Sequence, residues 1–242
     1  MSRSDRGWGN VDGGKPSLGG ELLASANGGG IVRLWNLSTG HLARALQHAG
    51  AGHDVFAFGV AFSPDGELLA SADGVGTIRL WNVATGHLVT APLHATAGHN
   101  GGVYCVAFSP NGKLLASADG DGTIRLWNPT NGRPAAPPLN TASVSHGGVF
   151  SSVAFSPNGK LLASGDGDGD VILWNTATGR RIVRMAEGSP VNSVAFSPNG
   201  RFLAAGGNNG DVIVWNAATG RRVVDLAENT PVSSVAFSPG RR

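Results

Sequence analysis

The sequence predicts an all-β chain assembled from repeated units of four short antiparallel strands, and three recurring features predict it. A Trp-Asn pair closes each unit, at Trp35, Trp81, Trp127, Trp174 and Trp215, with separations of 46, 46, 47 and 41 residues. That is the length of a supersecondary unit, not of a domain. Ahead of each pair runs a hairpin pattern, clearest in GKLLASADGDGTIRLWN over residues 112–128. A short apolar stretch meets a β-branched and aromatic one through Asp-Gly turn chemistry. The third feature is Val106-Ala107-Phe108-Ser109-Pro110, repeated around Phe62, Phe155, Phe196 and Phe237, where Ser-Pro stops an apolar strand.

In chain order, residues 1–18 hold Gly, Ser and charge and match no landmark, so they read as a loose arm or a degraded unit ahead of the repeats at 19–242. The first hairpin, within residues 21–35, has no Phe-Ser-Pro strand before it; Lys15-Pro16-Ser17-Leu18 stands at that place and cannot make a central strand. Four continuous units follow, at residues 55 to about 90, 103 to about 134, 149 to about 185 and 191 to about 226. After each Trp-Asn comes a turn, usually Ala-Thr-Gly, then a weaker fourth strand such as 87–90 or 221–226. Residues 91–99 and 133–146 are rich in Pro and Ala and are expected to project as loops. Residues 232–238 form a spare strand of the Phe-Ser-Pro kind, so the start lacks what the end has in excess.

Composition agrees with an ordered β chain. At 242 residues the chain is long enough to bury a real core, and its 38 glycines fall at repeated turn positions. No amphipathic helical pattern lasts three turns. The balance of 18 basic and 16 acidic residues is too even for a nucleic-acid footprint, although eight arginines against four acids lie from Arg180 onward. A solvated outer strand accounts for that excess. A single cysteine, Cys105, permits no intrachain disulfide and no multi-cysteine metal site, and it reads as a small buried residue. The N-terminus has no apolar signal region and no segment approaches a membrane span, which points to a cytoplasmic chain with no membrane partner.

The order Gly-His, Val-x-x-Val-Ala-Phe-Ser-Pro-Asn-Gly, Leu-Leu-Ala-Ser, Asp-Gly-Thr-Ile-Arg-Leu-Trp-Asn resembles the WD-repeat (WD40) β-propeller family over residues 19–239. The resemblance implies four-stranded blades set around a channel, with sheet edges protected by radial repetition. It also implies a ring closed by a blade made from both termini. Here 232–238 would be the inner strand of the blade holding 22–25, 31–35 and 42–46, which gives a five-bladed propeller where the family usually has seven. Burying Val232, Val235 and Phe237 yields about 5–9 kcal/mol, against a loop-closure cost on the order of 5 kcal/mol plus a constant. A closed ring is a monomer; if the ring cannot close, the same edges drive self-association.

Ser117, His99 and Asp121 could suggest a hydrolase triad. The resemblance instead implies a structural relay of Trp, Ser, His and Asp within each blade. His53, His99 and His146 lie 28 residues before their Trp; Ser25, Ser71, Ser117 and Ser164 lie ten before; Asp121 and Asp168 lie six before. Only the blades of Trp127 and Trp174 hold all four members, His99, Ser117, Asp121 and Trp127 and then His146, Ser164, Asp168 and Trp174. A catalytic set would not recur with the repeat. The run Asp166-Gly167-Asp168-Gly169-Asp170 imitates a calcium loop, but Val171 and Ala177 stand where Gly and Glu are needed. The sequence therefore names no catalytic residue, no metal ligand and no cofactor.

Surface remains. In similar propellers partners dock where the inner strands begin, at the third and fifth residues after the Gly-His position. Carried over, these are Phe56 and Phe58, Gly102 and Tyr104, Val149 and Ser151, Pro190 and Asn192, and Pro231 and Ser233. Phe56, Phe58 and Tyr104 are the aromatic candidates for anchors, or else inner-strand core. The turn residue that also contacts partners in such proteins is Gly28, Gly74, Gly120, Gly167 or Asn208. The expected function is a noncatalytic scaffold binding other proteins or peptides. The alternatives are a regulatory or sensor module of a larger signalling protein and a lectin-like ligand-binding propeller.

Overall fold

A computed structural model describes residues 21–47, 56–95, 101–140, 149–186 and 188–239. The expected N-terminal arm at 1–18, and the relay histidines His53, His99 and His146, lie outside the described residues. What is described is all-β, in five antiparallel sheets.

Sheet one holds β1 (Leu22–Ala26), β2 (Ile31–Asn36) and β3 (Leu42–Gln47). Sheet two runs β4 (Ala57–Phe62), β5 (Leu68–Asp73), β6 (Thr77–Asn82) and β7 (Leu93–His94). In sheet three β8 (Val103–Phe108), β9 (Leu115–Asp119) and β10 (Thr123–Asn128) are followed by two short outer pieces on β10, β11 (Arg133–Pro134) and β12 (Leu139–Asn140). Sheet four is β13 (Phe150–Phe155), β14 (Leu161–Asp166), β15 (Asp170–Asn175) and β16 (Arg181–Ala186). Sheet five is β17 (Val191–Phe196), β18 (Phe202–Gly207), β19 (Asp211–Asn216) and β20 (Arg222–Ala227).

The repeated motifs fold as they do for local reasons. In Phe-Ser-Pro-Asn-Gly the Ser109 hydroxyl accepts the Leu114 N–H at 2.9 Å and donates to Asn111 Oδ1 at 2.8 Å. Gly112 supplies the positive φ of 69° that turns the chain into β9. The Asn of each Trp-Asn pair is a turn device: Asn82 Oδ1 accepts the Thr85 N–H at 2.8 Å, and Gly86 N–H closes onto the Asn82 carbonyl at 2.7 Å.

Each core cluster belongs to two neighbouring sheets. Leu80 and Leu93 of sheet two meet Val103, Val106 and Trp127 of sheet three. Leu126 and Leu139 of sheet three meet Phe150, Val153 and Trp174 of sheet four. Leu173 and Met185 of sheet four meet Val191, Val194 and Trp215 of sheet five. Sheet one joins sheet two in the same way through Leu34, Leu46 and Trp81. Trp81, Trp127, Trp174 and Trp215 thus each pack on the preceding sheet, at only 3–6 % exposure. The four inner strands β4, β8, β13 and β17, with residues 235–239, line one central cavity of about 800 Å³.

Two expectations need correction. The fourth strand of sheet two is not 87–90 but Leu93–His94, with only an isolated bridge from Leu88 to Trp81. The stretches expected to project as loops carry outer strand instead, because Leu93 and Leu139 bury themselves against their sheets; the remainders of those stretches, 96–99 and 141–146, lie outside the described residues.

For the expected seam, no ladder joins residues 232–238 to sheet one among the described residues. Sheet one has three strands among the described residues, and residues 231–239 belong to no ladder. They pack on sheet five as an inner strand of a following sheet would. Val232 N–H donates to the Gly207 carbonyl at 3.0 Å, and Val235 N–H to Ser193 Oγ at 3.2 Å, as Val194 N–H does to Ser152 Oγ at 3.1 Å. Each half of the seam is held by its own neighbour, sheet five for the C-terminal segment and β4 for β1, and neither anchor requires the halves to meet. No helix among the described residues is long and apolar enough to cross a membrane.

Candidate functional site

The surface where the inner strands begin is shaped by one repeated irregularity. The β4–β5, β8–β9, β13–β14 and β17–β18 ladders each skip a residue at Phe58, Tyr104, Ser151 and Asn192. A β-bulge leaves the extra residue unpaired and re-aims its side chain. The four bulged residues are the positions carried over as fifth after Gly-His. The bulge itself has no signature in the sequence beyond its recurrence at one repeat position.

In the first two of these sheets the bulge presents aromatic rings. Phe56 is 45 % and Tyr104 39 % exposed, and Phe58 lies half-buried between them. The Phe56 and Phe58 rings stack at 6.1 Å and 17°, and Phe58 meets Tyr104 at 5.2 Å and 30°. All three therefore form one cluster spanning sheets two and three and are not core. The turn glycines are its floor. A Cβ on Gly74 would stand 3.0 Å from Phe58 Cε2, and one on Gly120 3.0 Å from Tyr104 Cε2. Glycine at these turns thus lets a ring lie flat on the backbone.

The other half of the face is polar and tied down. Ser151 donates to the carbonyls of Val191 and, at 3.2 Å, Gly165. Asn192 Nδ2 donates to Asn208 Oδ1 at 2.8 Å and to the Val232 carbonyl at 2.9 Å. Val149, Pro190, Pro231 and Ser233 are exposed around it.

Beneath the face run the Trp–Ser bonds. Indole N–H donates to serine Oγ at 2.9 Å for Trp35–Ser25, 2.8 Å for Trp81–Ser71, 3.1 Å for Trp127–Ser117 and 2.9 Å for Trp174–Ser164. Asp121 and Asp168 are exposed at their turns, Asp121 bonding Thr123 and Arg125. Two residues earlier the carboxylates of Asp73, Asp119 and Asp166 are fully buried, and sequence reasoning passed over them. Their signal was available: an Asp eight before the Trp recurs in three units. Asp73 pairs with Arg79 at 3.0 Å, and Asp119 with Arg125. Burial pushes the Asp119 carboxyl up to about 6 despite the opposing Arg125 guanidinium, and burial likewise raises Asp166. In the Asp-Gly-Asp-Gly-Asp run, Asp166 Oδ1 accepts the backbone N–H groups of Asp168 and Asp170 at 3.0 and 2.9 Å, which is turn geometry.

The family model described as IFT122 first beta-propeller matches residues 56–241. The chain belongs to that family. Its WD40-type propeller character agrees with the repeated sheets, the Trp–Ser bonds and the shared central cavity. Comparison with curated proteins returns no match. Within the IFT122 first beta-propeller match fall sheets two to five and the whole Phe56–Phe58–Tyr104 cluster.

Proposed function

We propose that this WD-repeat chain is a noncatalytic, cytoplasmic protein-interaction scaffold, and that Phe56, Phe58 and Tyr104 are its principal anchors for a partner protein or peptide. The observation that carries this reading is the re-aiming of Phe58 and Tyr104 by the bulges into a contiguous aromatic cluster. Exposed aromatic rings that already contact one another lose little conformational freedom on binding, and aromatic residues dominate interface energetics. Val149, Ser151, Pro190, Asn192, Pro231 and Ser233 complete the rim. Ser151 and Asn192 there tie neighbouring sheets together through the Val191 and Val232 carbonyls and make a polar border.

The histidine–aspartate part of the relay, His99 with Asp121 and His146 with Asp168, is proposed as structural support for this face. The test is affinity capture with wild-type protein and with a Phe56→Ala/Phe58→Ala/Tyr104→Ala variant whose fold is checked by circular dichroism. Loss of specific partners from a folded variant is expected. Capture of the same partners in the same yield would remove the aromatic cluster from the interface.

A further inference from the structure

Eight cations of sheets three to five gather at the end of the molecule opposite the bulges. The rows Phe155–Leu162–Trp174–Arg181 and Phe196–Leu203–Trp215–Arg222 cross sheets four and five at that end. Sheet three has Phe108–Leu115–Trp127–Pro134 there. The Ser-Pro-Asn-Gly turns and the turns after Trp-Asn therefore project from one end together. Six such turns, 109–114, 128–133, 156–161, 175–181, 197–202 and 216–222, carry the eight cations and no acid. In sheets one and two the equivalent turns 36–42, 63–68 and 82–88 hold no Lys or Arg, and Asp65 and Glu67 stand where sheet three has Asn111 and Lys113. The face changes sign between sheets two and three.

The cations form two rows. Lys113, Lys160 and Arg201 make the inner one, each just after a Ser-Pro-Asn-Gly turn. Asn111, Asn158 and Asn199 Oδ1 accept their backbone N–H groups at 3.0 Å, which fixes where each side chain starts. Neighbouring turns touch: a Cβ on Gly112 would stand 3.7 Å from Pro64 Cδ, one on Gly159 3.6 Å from Pro110 Cδ, and one on Gly200 3.4 Å from Pro157 Cδ. The outer row is Arg133, Arg180, Arg181, Arg221 and Arg222. Thr176 N–H on the Lys160 carbonyl at 3.1 Å, and Ala217 N–H on the Arg201 carbonyl at 3.0 Å, tie the rows together. All eight side chains are exposed, and among the described residues only Arg222 of the eight has an acid partner, Asp225. Arg180 and Arg181 stay exposed with sheet five packed against sheet four, so the arc does not depend on an open side of the molecule.

We propose that this arc is a docking surface for an extended acidic segment of a partner protein, separate from the aromatic cluster at the other end. Charges already held in place lose little freedom on meeting carboxylates, and a complementary field speeds encounter. An anionic bilayer laid flat on this end would press on Asp65 and Glu67 as well. Single-stranded nucleic acid draws on aromatic rings for its bases, and the one ring in these turns, Phe202, is half-buried with the Arg201 guanidinium 5.4 Å over it. A chain of Asp and Glu is narrow enough to follow sheets three to five and leave sheet two.

The probe is a fluorescein-labelled oligoglutamate peptide, read by anisotropy at low ionic strength. Saturable binding that weakens as salt rises is expected. Lys113→Gln/Lys160→Gln/Arg201→Gln should weaken it about tenfold, with circular dichroism unchanged. Glu67→Gln, which removes an acid beside the arc, should tighten it about twofold. Val75→Lys, the same change of net charge on the exposed turn at the other end of sheet two, should leave it unchanged. No saturable binding, equal binding of oligoglutamine, undiminished affinity in the triple variant, or equal gains from Glu67→Gln and Val75→Lys would overturn the arc as a site. Tighter binding of oligothymidylate of matched charge, or of phosphatidylserine vesicles, would overturn the acidic peptide as its occupant. None of the substituted residues belongs to the aromatic cluster, so failure here leaves Phe56, Phe58 and Tyr104 standing as anchors.

Discussion

Sheets three and five share a bulged inner strand and the same Ser-Pro-Asn-Gly and Trp-Asn turns, yet differ at the bulge and at the polar positions around the Trp. Sheet three has Tyr104 at the bulge, Ser117 under Trp127, and the Asp119–Arg125 pair. Sheet five has Asn192, Ala205, Gly207 and Ile213 at those places. Trp127 and Trp215 are nonetheless buried to the same degree, 4 % and 3 % exposed. Apolar packing between neighbouring sheets therefore makes the fold, and the polar network adjusts stability and surface on top of it.

The largest effect should be common to both sheets. Trp127→Ala and Trp215→Ala are each expected to cost about 3–5 kcal/mol, measured by denaturant unfolding. A much smaller loss in sheet five would mean that packing is not what the two sheets share. Ser117→Ala should cost about 1–2 kcal/mol, since it removes the acceptor of a buried indole N–H. The reciprocal Ala205→Ser offers Trp215 a hydroxyl and should raise stability by up to about 1 kcal/mol. Unchanged melting in both variants would sink the structural role of the Trp–Ser bond.

Asp119 sharpens the comparison through pH. Its folded carboxyl is raised to about 6 from 3.8, chiefly by burial, so the folded chain holds the extra proton between those values. Its contribution to stability is full below about pH 4 and is lost as the pH rises through about 6. Asp119→Asn should flatten that part of the stability–pH profile, leaving the smaller slope from Asp166. An unchanged profile would show that Asp119 does not titrate there. The smallest stability effect is expected from Tyr104→Ala, below about 1 kcal/mol because the ring is half-exposed, although partner capture should fall.

Much of this was legible in sequence because it is written locally and repeated. The Ser-Pro-Asn-Gly and Asn-x-x-Thr-Gly turns, the hairpins and the Trp–Ser spacing each rest on residues within about ten positions of one another. Phe56, Phe58 and Tyr104 could be named as a face, but not distinguished from core, because a strand alternates and only the bulge decides which side Phe58 and Tyr104 take. The buried Asp119 was missed because a turn Asp looks solvated until the neighbouring strand supplies Arg125. The outer strands at Leu93–His94 and Leu139–Asn140 were hidden by flanking prolines, and only burial of the two leucines reveals them.

By itself, then, the sequence determined the repeat, its strand content and its turns, since short-range hydrogen bonds and side-chain periodicity suffice for those. Tertiary structure alone decided where residues 232–239 pack. Residues 232–239 follow sheet five because Val232 and Val235 find there the surface that every inner strand of the chain uses, while β1 is fixed by β4. Whether two such edges meet depends on the summed rotation of five packed sheets, a quantity that no single residue encodes.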